Sequence, residues 1–159
     1  MVAPRERRLR ARCGGFTLIE LAAVVLIVMI LAAIGVPGLR TLILTQQIRT
    51  ASSDLFVAIA AARSEAVTRN AEVVVEPASS DWSDGWVVRT GGGRELRREA
   101  RSARLSITGP AQVTFRGDGR SAAGGVQFHI TAENAPEIEP RCLRLHVNGR
   151  PYLRAGVCS

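Results

Sequence analysis

The chain contains no lysine. All 21 of its basic residues are arginine, set against 14 acidic ones, and the formal net charge is +7. The absence removes the lysine that a phosphate-binding loop requires. Gly91-Gly92-Gly93 also lacks the Ser/Thr of such a loop, so this run reads as a flexible hairpin tip. Histidine is nearly absent: His129 and His146 are the only two. Both fall in alternating patterns whose apolar neighbours point inward, which places each on a solvent face. No compact His/Cys/Asp spacing supplies a metal set around them. No nucleophile-elbow motif frames the Ser, His and Asp residues. On these grounds neither an enzyme nor a cofactor site is expected, and Glu65 reads as structural.

Cysteine is equally sparse, at three residues. Cys13 lies in the N-terminal part, while Cys142 and Cys158 lie near the end. In an exported domain that last pair could bridge and fix the tail; the alternatives are two unrelated thiols, or one buried small side chain.

Long apolar runs are missing except for one. From Phe16 to Leu39 the only charge is Glu20, and LAAVVLIVMILAAIGV occupies 21–36. These 24 residues, 16–39, suffice to cross about 30 Å of hydrocarbon as a helix. Before them, Arg5, Arg7, Arg8, Arg10 and Arg12 outweigh Glu6. By the positive-inside rule the N-terminus stays in the cytoplasm and the rest lies outside. A secretory signal peptide is the rival reading, with Ala33-Ile34-Gly35 as a small-x-small cleavage site. Glu20 fits that rival poorly, because a carboxylate at an apolar run is costly unless paired or interfacial.

Beyond Pro37 and Gly38, where a bend is expected, a helical period resumes. Ile48, Ala51, Leu55, Ile59, Ala62 and Ala66 form one apolar stripe. Arg63, Glu65 and Arg69 lie off it as candidates for exposed ion pairs, and Asn70 is a plausible end. The period then changes to two. Val73/Val75, Trp86–Val88, Leu105/Ile107, Val113/Phe115, Val126/Phe128/Ile130 and Leu143/Leu145/Val147 read as strands. Glycine, proline and Asp/Asn turns separate them, and Asn148-Gly149 predicts a hairpin. The pattern implies an antiparallel β domain packed on the helical stripe. One of Trp82 and Trp86 is expected in the core, with Trp82 the candidate for exposure. The run Arg94–Arg104 reads as a solvated linker or edge strand, or as a polyanion patch.

The segment Gly15-Phe16-Thr17-Leu18-Ile19-Glu20 resembles the cleavage and methylation motif of type IV pilins and type II secretion pseudopilins. In that family a prepilin peptidase cuts after the glycine, here Gly15. The new N-terminal residue, here Phe16, is N-methylated. Glu20 matches the family's fifth-residue glutamate, and its carboxylate is expected to meet a neighbouring subunit's Phe16 amine during assembly. Pro37 falls where many members bend the long helix. Ala61–Asn70, Asp84–Val88, Phe115–Gly119 and Val147–Arg150 are similar to segments of the GspH/FimT branch of minor pseudopilins and minor pilins.

The resemblance implies an α+β pilin-like fold. It divides into a basic leader at 1–15, a transmembrane helix at 16–39, its amphipathic continuation at 40–70 and a periplasmic antiparallel β domain at 71–159. It implies a minor pseudopilin of a type II secretion system, at or near the pseudopilus tip, aiding export of folded substrates. The alternative is a FimT-like minor type IV pilin acting in pilus assembly or DNA uptake. The expected partners are prepilin peptidase, other major and minor pseudopilins or pilins, an inner-membrane assembly platform and a secreted substrate. DNA is a partner only in the alternative. There Arg150 and Arg154 would stand for a late GRxR-like segment, although the spacing here is larger. The expected location is the inner membrane, single-pass, with the β domain in the periplasm.

Overall fold

The computed structural model describes residues 17–100 and 105–158. One helix, α1 (Leu18–Arg69), is followed by eight strands among the described residues: β1 (Val73–Pro77), β2 (Gly85–Thr90), β3 (Glu95–Ala100), β4 (Leu105–Thr108), β5 (Val113–Phe115), β6 (Val126–Ala132), β7 (Arg141–Leu145) and β8 (Pro151–Ala155). The chain divides into two compact units, Met1–Leu39 and Arg40–Ser159.

In the first unit the described residues are helical from Leu18. Thr17 starts that helix: its Oγ1 accepts the backbone N–H of Glu20 at 3.2 Å. This is the Thr-x-x-Glu spacing of a capping box, with Glu20 three residues past the cap. From Leu18 to Leu39 the helix is roughly 33 Å long at 1.5 Å per residue. It is long and apolar enough to cross a membrane, and none of that apolar window is buried. The backbone stays helical through position 37.

The second unit holds the core. Every buried apolar side chain among the described residues lies between Leu44 and Leu145. The helical stripe Ile48, Ala51, Leu55, Ile59, Ala62 and Ala66 is wholly buried, joined by Leu44 and Ala58. The small residues at 51, 58, 62 and 66 belong to the same core cluster as the inner residues of both sheets. Asn70 ends the helix in the left-handed region (φ 46°), a conformation its short polar side chain tolerates.

Two four-stranded antiparallel sheets complete the unit. The first has the order β3-β2-β1-β5 and the second β4-β6-β7-β8. Period-two burial sets their inner faces: Val73 and Val75, Leu105 and Ile107, Val113 and Phe115, Phe128 and Ile130, Leu143 and Leu145 are all buried. Val147 does not continue the last series. It is 61% exposed, because β7 stops at Leu145 and the chain turns.

Both tryptophans are buried, so Trp82 is not a surface residue. It stands edge-on to Phe128, with ring centroids 4.9 Å apart. Its Nε1 donates to the Pro110 carbonyl at 2.7 Å. That hydrogen bond lets the indole bury without leaving a polar atom unpaired. Residues Trp82–Asp84 form a 3-10 turn capped by Asp81. Ser83 Oγ accepts the Ile107 N–H at 2.9 Å, tying this turn to the second sheet.

Candidate functional site

The described residues place the sequence-derived candidates in three separate regions. The first is the helix start. Gly15 and Phe16, the cleavage and methylation residues, lie outside the described residues. Glu20 is exposed and makes no ion pair among the described residues. Its position three residues past Thr17 puts its charge in the first helical turn, where the helix dipole favours an anion. Thr17 was not singled out from the sequence, although the Thr-x-x-Glu spacing signals it.

The second region is the far end of the helix, where two turns meet. Residues 116–120 (RGDGR) and 146–150 (HVNGR) share one geometry. Arg116 N–H donates to the Arg120 carbonyl and His146 N–H to the Arg150 carbonyl, at 3.0 and 3.1 Å. Gly119 and Gly149 both have φ 76°. Each turn is thus a three-residue loop closed by a left-handed glycine. In both, an Asx side chain accepts a following backbone N–H: Asp118 from Arg120 at 2.9 Å and Asn148 from Arg150 at 3.1 Å.

The two turns pack back to back. A Cβ on Gly149 would run into the Gly119 carbonyl. Arg63, half-buried on the helix, donates its Nε to that same carbonyl at 3.0 Å. By sequence Arg63 groups with Glu65 and Arg69 as an exposed ion-pair candidate. Only Glu65 and Arg69 pair, at 2.6 Å; Arg63 instead fixes the turns. Periodicity does not reveal this, because the acceptor is a backbone oxygen 56 residues away.

The third region is the outer face of the second sheet. Register places Arg144 opposite Tyr152 and Cys142 opposite Arg154. Leu143 and Leu153 face the other way, into the core. Arg150 precedes β8 in the same alternation as Tyr152 and Arg154, so Arg150 and Arg154 share the outer face, about 13 Å apart along the strand. Both are exposed, as is Tyr152 at 55%. None of β4, β6, β7 and β8 contains an acidic residue.

Cys142 sits on this outer face yet is fully buried, because Cys158 is bonded to it. Their Cα atoms are 5.2 Å apart, inside the range a disulfide spans. Gly156 N–H donates to the Pro140 carbonyl at 2.8 Å, so the tail lies beside the start of β7.

The basic run at 94–104 differs from that face. Residues Glu95–Ala100 form β3, an edge strand of the first sheet. Arg98 pairs with Glu95 at 2.8 Å and Arg97 with Glu99 at 3.7 Å. The Arg98 guanidinium holds the Glu95 carboxyl below its ordinary value, and Glu95 raises Arg98 in turn. Arg101 and Arg104 lie outside the described residues. His129 and His146 are exposed, and among the described residues no three His, Cys, Asp or Glu side chains converge as a metal set.

Comparison with known proteins bears on the family and the fold. A family model described as type II transport protein GspH matches residues 51–149. A second, the prokaryotic N-terminal methylation motif, matches residues 10–36. No curated protein matches the chain. Among solved structures, the minor type IV pilin FimU of Pseudomonas aeruginosa superposes with a TM-score of 0.60 at 22% identity, covering 69% of this chain and 89% of FimU. The minor pseudopilin EpsH from the type 2 secretion system of Vibrio cholerae superposes with a TM-score of 0.57 at 10% identity, covering 68% of this chain and 96% of EpsH. At these identities the likeness is one of fold: a long apolar helix followed by antiparallel sheets. The family model spans more than half of the chain, and the chain belongs to the GspH family of pilin-like proteins.

Proposed function

We propose that the protein is a minor pseudopilin of a type II secretion system, a structural subunit at or near the pseudopilus tip that aids export of folded substrates. The observation that carries this is the co-occurrence of a GspH match with a methylation motif at the head of the apolar helix. In this reading prepilin peptidase removes residues 1–15 by cutting after Gly15, and Phe16 becomes the methylated N-terminus. Residues 16–39 cross the inner membrane, with a bend assigned to Pro37. The β domain at 71–159 stands in the periplasm on the amphipathic half-helix at 40–70.

Glu20 then has a partner. A carboxylate in an apolar bundle is expensive when alone and tolerable when paired. The Phe16 amine of an adjacent subunit supplies the opposite charge and favours one axial register. The remaining partners are other major and minor pseudopilins, the inner-membrane platform and the secreted substrate.

A second reading is favoured by the carboxylate-free outer sheet face. A FimT-like minor type IV pilin acting in DNA uptake would use Arg150 and Arg154, with Arg144 and the exposed Tyr152 between them. Arginines positioned on phosphates give salt-dependent affinity, and an aromatic ring offers a stacking platform. The experiment deletes the gene and measures two outputs: secretion of folded substrates, and pilus-dependent DNA uptake. Loss of secretion with uptake intact supports the first reading; the reverse supports the second. Intact mass of the membrane-extracted protein tests processing, and a mature start other than methylated Phe16 defeats both.

A further inference from the structure

The two sheets end in four edge strands, and three of these are closed. β3 carries Arg97 and Arg98 between Glu95 and Glu99, charges that deter a further strand. β5 is covered: Ala122 N–H donates to the Thr114 carbonyl at 2.8 Å, and Ser121 bridges to Phe115. β4 is covered by the 3-10 turn, whose Ser83 Oγ accepts the Ile107 N–H. β8 is the fourth. Among the described residues its one hydrogen-bonded neighbour is β7.

Two bonds fix which way the β8 backbone points. His146 N–H donates to the Arg150 carbonyl, and Gly156 N–H to the Pro140 carbonyl. With the register between them, residues 152 and 154 turn their N–H and C=O toward β7, and residues 151, 153 and 155 turn theirs outward. Pro151 has no N–H to offer. Leu153 and Ala155 each present an N–H and a C=O. No turn or loop backbone bond among the described residues reaches them. The tail leaves this edge open, because the Gly156–Pro140 bond and the Cys142–Cys158 disulfide carry it back beside β7.

The side chains flanking the edge differ by face. Arg154 and Tyr152 are exposed on the outer face, Arg150 precedes them, and no strand of this sheet has an acidic residue. On the other face Leu153 packs against the core, partly buried. A strand added about 4.8 Å beyond β8 meets cations on one side and an apolar margin on the other. We propose that the open edge of β8 accepts an extended segment of a partner protein, with acidic and apolar residues in alternation, as a further strand of the second sheet. Main-chain bonds to Leu153 and Ala155 supply affinity, and the alternate side chains supply selection. A second copy of this chain does not supply the segment. Its acidic loop, residues 133–140 (ENAPEIEP), has two prolines without an N–H, and Ala135 and Ile138 hold it in the core. The glutamates of β3 are already paired with Arg98 and Arg97. The inference does not depend on which filament system the chain serves.

The test uses the detergent-solubilised full chain and a labelled, end-blocked peptide of alternating glutamate and valine, with binding read by fluorescence anisotropy. Saturable binding is expected. Ala155→Pro removes one outward N–H at an exposed position and should weaken binding at least fivefold, while Ala155→Ser keeps it. Arg150→Glu with Arg154→Glu should weaken binding at least fivefold and shift preference to a peptide of alternating arginine and valine. On the unaltered protein, N-methylating one alternate set of peptide residues (the valines for antiparallel pairing, the glutamates for parallel) should abolish binding, and methylating the other set should leave it. That comparison does not depend on how any variant folds. No saturable binding, equal effects of the two methylated peptides, or indifference to Ala155→Pro overturns the proposal. So does an oligonucleotide that displaces the peptide and binds Ala155→Pro as tightly as the parent, which assigns the face to nucleic acid. Self-association of the peptide-free chain that Ala155→Pro abolishes overturns it in favour of a second copy.

Discussion

Substituting Gly149 by alanine tests whether the paired turns depend on contact or only on local backbone preference. Gly149 and Gly124 both sit in the left-handed region, at φ 76° and 81°. A Cβ on Gly124 would meet nothing within 4 Å, whereas one on Gly149 would run into the Gly119 carbonyl and lie 3.0 Å from Arg63 Nε. Gly124→Ala therefore carries only the backbone cost of an L-residue at positive φ, about 1–2 kcal/mol. Gly149→Ala carries that and also displaces the carbonyl that accepts the Arg63 guanidinium. A hydrogen bond from a charged donor contributes about 1.5–3 kcal/mol. The expected loss at Gly149 is thus about 2.5–5 kcal/mol, against about 1–2 kcal/mol at Gly124.

The assay is urea and thermal unfolding of residues 40–159, a unit that holds its own core. For a domain of this size about 1 kcal/mol shifts Tm by roughly 4 °C. Gly124→Ala should lower Tm by about 4–8 °C and Gly149→Ala by about 10–20 °C. Arg63→Ala in the Gly149→Ala background should then cost little more, since its hydrogen bond is already gone. Equal losses at the two glycines, or full additivity of Arg63→Ala with Gly149→Ala, would refute the contact between the turns.

Three further outcomes follow from single contacts. Cys158→Ser opens a loop of sequence separation 16, and loop-closure entropy puts the loss near 3 kcal/mol; urea unfolding checks it, and a loss under about 1 kcal/mol would show that the tail is held by other means. Trp82→Phe keeps the ring against Phe128 but removes the donor to the part-buried Pro110 carbonyl, so a loss of about 1–3 kcal/mol is expected by the same assay. The Ser83 N–H, and then its side chain, hold the Asp81 carboxyl below its ordinary value of 3.8. A depressed folded value means that this stabilisation is present above pH 3.8 and is lost as pH falls through the lower folded value. The urea midpoint of the parent should drop more than that of Asp81→Asn on acidification from neutral pH, and parallel curves would remove Asp81 from the account.

Periodicity made the helix legible because its buried stripe repeats every three to four residues without a gap from Ile48 to Ala66. The same holds for the strands, whose inner residues alternate and whose turns carry glycine or Asx at positive φ. Val147 marks where this reasoning stops. It keeps the alternation of Leu143 and Leu145, but the left-handed Gly149 forces the chain to turn before the ladder reaches it. Trp82 marks a second limit. Its burial depends on a carbonyl at Pro110 and a ring at Phe128, both far along the chain and on other elements. Pattern reading registers what a residue does within its own segment, so contacts to distant backbone atoms leave no trace in it. Thr17 is the opposite case: its signal, a threonine three residues before Glu20, is wholly local.

A chain whose cations are all arginine has one kind of group to serve several ends, and burial and neighbours decide which. In β3, Arg97 and Arg98 stand between Glu95 and Glu99 on an edge strand, where two ion pairs satisfy them and the charges discourage another strand from joining. Such pairs add little stability, so their effect lies in keeping the edge unpaired. Arg63 is half-buried, with a backbone oxygen as partner, and acts as a clamp. Arg116, Arg120, Arg150 and Arg154 have no ion pair among the described residues, although Glu133, Glu137 and Glu139 belong to the same unit. Folding could have satisfied these charges internally by placing the acidic loop beside the turns. The strand order keeps them one strand length apart instead.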